Sequence, residues 1–201
     1  MRCTRLPSFE YRRERWRNGL GWTREIARSA PGEDWSWRCS VAELDADAGF
    51  SRFPGRQRLM ALLQGSGMHL SLEGSEPLAL MPPHGRARFS GDAEVSARLL
   101  DGPCHALNFI YDPARCEAEM LHRPLVGPMV FFSEPGESWL IYLLGGHAAG
   151  KHDLEATRAD SGDTLLLEGS TAGSRFLLDG AGELLLVRLR QRAPDAAPAG
   201  P

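Results

Sequence analysis

Residues 35–42, WSWRCSVA, alternate between apolar and polar side chains along their whole length. In an extended chain the apolar positions share one face and the polar positions share the other. The apolar face carries Trp35, Trp37, Cys39 and Val41. A period of two is typical of a half-buried β-strand, so the stretch predicts a strand with an apolar face and a polar face that holds Arg38 and Ser40.

Short runs of this kind recur from about residue 22 to residue 190, separated by Gly, Pro, Asp and Ser. Residues 67–74, GMHLSLEG, show the same alternation, and no long helical stripe interrupts the series. Strands at this spacing predict an all-β sandwich or barrel. Glycines between two such runs also predict hairpins at residues 62–70 and 177–186.

The composition is that of an ordinary globular chain. Of 201 residues, 42% are hydrophobic and 24% are charged, and the formal net charge is only −3, with both signs interspersed. This balance argues against a nucleic-acid partner. No apolar run approaches the roughly 20 residues of a membrane span, and the N-terminal residues lack the apolar run of a secretion signal. We therefore expect a cytoplasmic protein with no membrane partner, and four scattered cysteines that stay free thiols.

The strand pattern restarts after residues 112–128, which indicates a join between two halves. We expect an N-terminal half over residues 1–112 and a C-terminal half over residues 113–191. Residues 192–201 are rich in Pro and Ala and have little to bury, so they are expected to form a disordered tail.

Metal chemistry is not predicted by the histidines. Two His on one barrel strand point inward together only when they are two positions apart, and none of the six His has that spacing. His147 and His152 are five apart, which puts their rings on opposite faces of a strand. The chain also lacks the G-x-S-x-G elbow of a serine hydrolase. We therefore expect no metal, no other cofactor and no nucleophilic triad.

Several polar residues lie on strand faces that a barrel would turn inward. Thr23 and Glu25 share one face, Arg58 shares a face with apolar neighbours, and Asn108 stands in the apolar run HALNFIY. An Arg among apolar side chains needs an anion, either a protein carboxylate such as Glu25 or a ligand. A structural salt bridge or a solvated face is the alternative interpretation of the same pattern.

Residues 50–55, FSRFPG, place two phenylalanines around Ser51 and end in a Pro-Gly pair. A type II turn explains Pro54 and Gly55. The two aromatic residues would be explained if this turn covered one mouth of a barrel.

Taken in order, these motifs resemble the HutD/Ves family over about residues 16–110. The matching segments are WRNGLGWTREI, WRCSVAEL, FSRFPGRQRLMALLQGSGMHL, FSGD and GPCHALNFI. The resemblance implies a cupin-like double-stranded β-barrel in a bicupin arrangement, with two barrel halves in one unit. It also implies an association with bacterial histidine-utilisation gene sets or with stress responses.

The resemblance can be carried onto individual positions of this chain. The family-like positions are Trp16, Asn18, Gly21, Thr23, Glu25, Arg38, Ser40, Phe50, Ser51, Phe53, Pro54, Gly55, Arg58, Gly91, Asp92, Gly102, Pro103 and Asn108. From these we take a ligand-binding set in the first half. The set is Asn18, Thr23, Glu25, Arg38, Ser40, Ser51, Arg58 and Asn108.

Three functions fit this set. The first is a non-catalytic protein that binds a small anionic metabolite, with urocanate and formylglutamate as candidates, and modulates histidine utilisation or a stress pathway. The second is a metal-free isomerase or hydrolase of a small carboxylate, with Glu25 as general base and Arg58 as electrostatic stabiliser. The third is a protein-interaction module. Exposed edge strands would allow a homodimer in each case.

Overall fold

Nearly every apolar run of the sequence forms a strand. The computed structural model describes residues 1–16, 19–152, 155–169 and 173–192, and its one helical segment there is a 3-10 turn at Ser8–Glu10. The strands are β1 Arg2–Leu6, β2 Arg12–Arg15, β3 Gly21–Arg28, β4 Trp37–Leu44, β5 Ala48–Phe50, β6 Gln57–Gln64, β7 Met68–Leu72, β8 Leu78–Leu80, β9 Arg86–Ser90, β10 Val95–Leu99, β11 Cys104–Tyr111, β12 Cys116–Val126, β13 Met129–Ser133, β14 Glu137–His152, β15 Glu155–Asp160, β16 Thr164–Glu168 and β17 Ser174–Gln191. The all-β prediction is confirmed.

The first barrel consists of two antiparallel sheets. A six-stranded sheet in the order β2-β3-β4-β11-β6-β9 lies against a four-stranded sheet in the order β5-β10-β7-β8. One apolar cluster joins their facing sides, with Met60 from one sheet and Met68 from the other both fully buried. The space between these two sheets therefore forms the interior of the first barrel.

The second barrel is built around two very long strands. A seven-stranded sheet has the order β1-β16-β14-β17-β12, with β13 added to β17 and β15 added to β14. A second apolar cluster, including Ile141 and Phe176, fills its interior. The strand β1, from the start of the chain, is thus part of the second sheet and pairs with β16 from Leu6↔Thr164 to Arg2↔Glu168.

A third apolar cluster lies between the two barrels. It takes the outward face of the six-stranded sheet and one face of the seven-stranded sheet. Trp37 stacks on Phe109 with ring centroids 5.9 Å apart, while Leu140 and Val187 contribute from the other side. Strand β4 therefore uses both its faces, since its apolar side packs between the barrels and its polar side points into the first one.

Both predicted hairpins are wrong. Residues 65–67 carry the chain from the six-stranded sheet to the four-stranded one, because β6 pairs with β11 and β9 while β7 pairs with β10 and β8. Residues 177–186 lie within the continuous strand β17. Its Gly180 is needed for close approach, since a Cβ there would lie 2.2 Å from the His147 carbonyl oxygen.

Other expectations have mixed outcomes. The four cysteines are free thiols, as predicted. In the described part of the chain, no helix is long and apolar enough to cross a membrane. The division near residue 112 stays a prediction, and most of the predicted tail, from residue 193 onward, lies outside the described residues.

Candidate ligand-binding site

A cavity of about 810 Å3 opens inside the first barrel. Six of the eight predicted ligand residues line it: Thr23, Arg38, Ser40, Ser51, Arg58 and Asn108. Glu25 does not line the cavity but contacts Arg38, and Asn18 lies outside the described residues. The volume suits a small metabolite, since ligand pockets commonly measure about 300–1,000 Å3. The ligand role of these residues stays a prediction.

The register of three neighbouring strands brings the polar side chains together. On β11, Asn108 pairs with Ser40 of β4, while Ile110 pairs with both Arg38 of β4 and Arg58 of β6. Directly paired residues project to the same side of a sheet. The two arginines therefore flank Ile110 on the inner face, with Asn108 and Ser40 one step further along.

Arg58 is held by neutral groups. Its side chain is 2% exposed, and Asn108 Oδ1 accepts hydrogen bonds from Nε at 3.3 Å and Nη2 at 3.2 Å. Nη1 donates a longer bond of 3.4 Å to the Ser51 carbonyl oxygen. A guanidinium has five N–H donors, so these three bonds leave two donors for another acceptor.

No carboxylate in the described part of the chain forms an ion pair with Arg58, which is unusual for a buried cation. Burial and, to a smaller extent, the positive charge of Arg38 lower the pKa of Arg58 to about 10. Both causes are penalties on the charged form. An anion placed between Arg58 and Arg38 would offset both penalties, whereas the carboxylates of Glu14 and Glu33, which also line the cavity, would repel it.

Aromatic rings cover the Arg58 guanidinium. Its Cζ lies 4.9 Å from the ring centre of Phe50, 5.0 Å from that of Phe89 and 5.8 Å from that of Phe53. Cation–π attraction of this kind contributes about 0.5–2 kcal/mol per contact. Phe50 and Phe53 come from the FSRFPG turn, and both line the cavity together with Ser51.

Glu25 is shared between two arginines at the edge of the cavity. Its Oε2 lies 2.9 Å from Arg38 Nε, and both its oxygens accept hydrogen bonds from Arg28. Burial alone would raise the pKa of Glu25, but the bonds from Arg28 and the charges of Arg38 and Arg28 lower it. Glu25 is therefore a charged counterion at neutral pH. Arg38 lines the cavity with its positive charge partly compensated by Glu25.

Arg28 was not predicted as a site residue, because a β-bulge changes the side of the strand on which it lies. On a regular strand, residues 25 and 28 point to opposite faces, but the β3–β4 register shifts between Glu25 and Ala27 and brings Arg28 to the same side as Glu25. Trp16 was also missed as a cavity residue. Its Nε1 donates a 2.9 Å hydrogen bond to Thr23 Oγ1, and its ring packs on Phe50.

Proteins with similar sequences and similar structures are known. The sequence profile of the HutD family matches residues 8–186. An uncharacterized 21.2 kDa protein in the hutC 3' region of Pseudomonas putida is 42% identical over 117 residues, covering 57% of this chain and 61% of that protein. Protein Ves from Citrobacter koseri is 37% identical over 108 residues, covering 52% and 56%. The chain thus aligns with about 60% of the length of these relatives.

Solved structures match over nearly the whole chain. HutD from Pseudomonas fluorescens SBW25 is 30% identical, covers 96% of this chain and 100% of its own, and superposes with a TM-score of 0.82. Bacterial pirin YhhW from Escherichia coli covers 96% of this chain and 100% of its own at 10% identity and a TM-score of 0.68, a likeness that shows the fold alone. The predicted cupin-like double barrel is confirmed.

Proposed function

Since the chain belongs to the HutD family, we propose that it is a non-catalytic, cupin-like protein that binds a small anionic metabolite in the first barrel. The binding would modulate a catabolic pathway, histidine utilisation. One observation carries the proposal: Arg58 is buried, charged and held by neutral acceptors alone. The position of the Pseudomonas putida relative next to hutC supports the choice of pathway.

A carboxylate fits the donors that the cavity offers. Two free N–H groups of Arg58 would hold its oxygens, and Arg38 would add a second positive charge. The Ser40 hydroxyl also faces the cavity and would help orient the ligand. Urocanate and formylglutamate are the candidates because both carry a carboxylate, are small enough for this volume and belong to histidine breakdown.

Catalysis by Glu25 is the second candidate and has weaker support. A general base works best with a pKa near the working pH, whereas the arginines beside Glu25 lower its pKa. Glu25 also lies outside the cavity lining. Binding without turnover is therefore the better match to the geometry. A protein-interaction module remains the third hypothesis, with a co-purifying pathway protein as its expected sign.

Titration calorimetry tests the binding proposal. We expect urocanate or formylglutamate to bind the full chain with a Kd in the micromolar range, because one buried charge-assisted site with aromatic cover is available. The uncharged amide of the same compound should bind at least about 100-fold more weakly, since it cannot offset the Arg58 charge. Chromatography of the mixture after long incubation should recover the compound intact. Consumption of the compound would favour the enzyme, and equal affinity for acid and amide would reject the anion site.

Glu25→Gln separates the counterion role from the catalytic one. Removing this carboxylate raises the net charge of the Glu25, Arg28 and Arg38 group from +1 to +2. We expect the affinity for urocanate to rise about 3- to 10-fold at low salt and the gain to shrink at high salt. Titration at two ionic strengths measures both effects. If Glu25 were instead a general base, this variant would lose turnover.

A further inference from the structure

Two histidines and a glutamate meet where the barrels join. His84 Nε2 lies 3.1 Å from Glu183 Oε2, and His122 Nε2 lies 3.3 Å from the same oxygen. One donor atom from each of the three residues lies within 4.8 Å of the other two. We call His84, His122 and Glu183 the joint cluster. None of its members lines the cavity around Arg58.

The fold places these residues from both barrels. His122 on β12 pairs with Leu185 of β17, and Glu183 is two positions from Leu185, so both side chains lie on the side of the sheet that meets the first barrel. The Glu183 side chain is 52% exposed, so the cluster lies at the solvent-accessible edge of the joint. His84 comes from the other barrel, in the turn between β8 and β9. Its φ of 52° is in the left-handed region, which His tolerates better than most residues.

In the neutral form of His84, the lone pair of Nε2 faces the Glu183 carboxylate. Its Nδ1 lies 3.2 Å from the Leu62 carbonyl oxygen, which can only accept, so Nδ1 carries the hydrogen. In the neutral ring Nε2 then has no hydrogen and faces Glu183 Oε2, which is also an acceptor. Two acceptors at 3.1 Å repel unless a proton or a metal ion lies between them.

The spacing suits a metal ion. Metal–ligand bonds of about 2.05 Å at tetrahedral angles put donor atoms about 3.3 Å apart. The two imidazole-to-carboxylate distances, 3.1 and 3.3 Å, already match this value. The Leu62 carbonyl on the far nitrogen of His84 is the outer partner that metal-bound histidines commonly have.

We propose that the joint cluster is a binding site for a divalent transition-metal ion, with Zn2+ favoured by its two imidazoles and one carboxylate. Three protein ligands leave a fourth position for water or a small ligand. A groove of about 590 Å3 that includes His84, Arg86 and Met120 runs beside it. The ion would also tie the barrels together, because His84 belongs to one and His122 and Glu183 to the other.

Zinc titration of the tag-free full chain, after removal of metals with a chelator, tests the proposal. We expect one Zn2+ per chain by calorimetry. We also expect a Tm increase of about 5–10 °C at a free zinc concentration 100 times Kd, since the ion binds only the folded joint. We expect zinc binding to weaken by at least about 100-fold in each of three variants: His122→Gln, Glu183→Gln and His84→Asn. This loss is larger than the one usually caused by mutating a residue that only hydrogen-bonds to a metal ligand. Asn is chosen at position 84 because it also tolerates a positive φ.

His69→Gln is the matched control, since His69 is an exposed histidine on β7 of the four-stranded sheet. It should keep the stoichiometry, the affinity and the zinc-induced rise in Tm. Melting of the metal-free variants shows whether each still folds. One zinc retained in all three cluster variants would place the ion on other histidines and overturn the proposal. The proposal would also be overturned if the wild-type chain bound Zn2+ no more tightly than Glu183→Gln. The three residues would then be explained as a hydrogen-bonded His–Glu–His bridge without a metal.

Discussion

Arg58→Met is expected to abolish urocanate binding while the free energy of unfolding stays close to that of wild type, because relief of a buried unpaired charge offsets the lost hydrogen bonds and cation–π contacts. The guanidinium is 2% exposed and has no carboxylate partner among the described residues, so its burial is a cost to the free protein. Methionine keeps much of the volume and packs well against Phe50 and Phe89. Loss of the charged donors should reduce affinity at least about 100-fold. Calorimetry gives the affinity, and urea denaturation at constant m-value gives the stability.

Arg56→Met is the matched control, and we expect the opposite outcome for both ligand binding and stability. Arg56 lies on the same stretch of chain, but it has a carboxylate partner, Asp112, at 3.2 Å and donates a 2.9 Å hydrogen bond to the Trp35 carbonyl oxygen. Its removal should leave the binding of urocanate intact and lower the free energy of unfolding by about 1–2 kcal/mol. A large stability loss in Arg58→Met together with retained binding would show that Arg58 is structural and would reject the anion site.

Asp163→Asn should destabilise the chain by about 2–4 kcal/mol, a fall in Tm of roughly 5–15 °C. Asp163 is 3% exposed, and its Oδ2 accepts hydrogen bonds from Arg5 Nη2 at 2.8 Å and from the Asp160 backbone N–H at 3.1 Å. Its Oδ1 accepts one from the Ser8 backbone N–H at 2.8 Å. An amide can accept through one oxygen only, and its NH2 would face donors.

The same substitution should change the acid limb of the stability curve. Burial would raise the pKa of Asp163, but the bonds from Ser8, Asp160 and Arg5 lower it below its ordinary value of 3.8. A carboxyl whose pKa is lower in the folded state stabilises the fold above the unfolded pKa and loses this effect as the pH falls through the folded value. Urea denaturation between pH 7 and pH 3 should therefore show a shallower acid loss in Asp163→Asn. Asp160→Asn, at an exposed carboxylate three residues away, should behave like wild type.

Strand identity and inner faces could be read from the sequence because they depend on local alternation. Arg38 and Ser40, from the polar face of WSWRCSVA, do line the cavity of the first barrel, and Arg58 and Asn108 reach the same cavity. Trp35, placed on the apolar face by alternation, lines it as well. Register between distant strands has no comparable local signal. The predicted hairpins failed because glycines serve turns, sheet crossings and close approaches alike, as Gly67 and Gly180 illustrate.

The parts of the site that escaped prediction depend on irregular or long-range geometry. A bulge decides on which side Arg28 lies, and no residue type in TREIAR marks it. The joint cluster does not follow the spacing of two histidines on one strand, because its members come from a turn and two strands. Spacing rules detect sites within one element, whereas His84 and Glu183 are brought together only by packing of the barrels.

Strand β1 has a consequence for the order of events during synthesis. It leaves the ribosome before the rest of the second barrel, yet its partners are far away in sequence, with Arg5 and Asp163 separated by 158 positions. The six-stranded sheet can close earlier because all its strands precede residue 112. Meanwhile RCTRL is an unpaired strand, and unpaired strands invite aggregation. The strand contains two arginines, Arg2 and Arg5. Charged residues of this kind disfavour pairing of an unpaired strand with another chain.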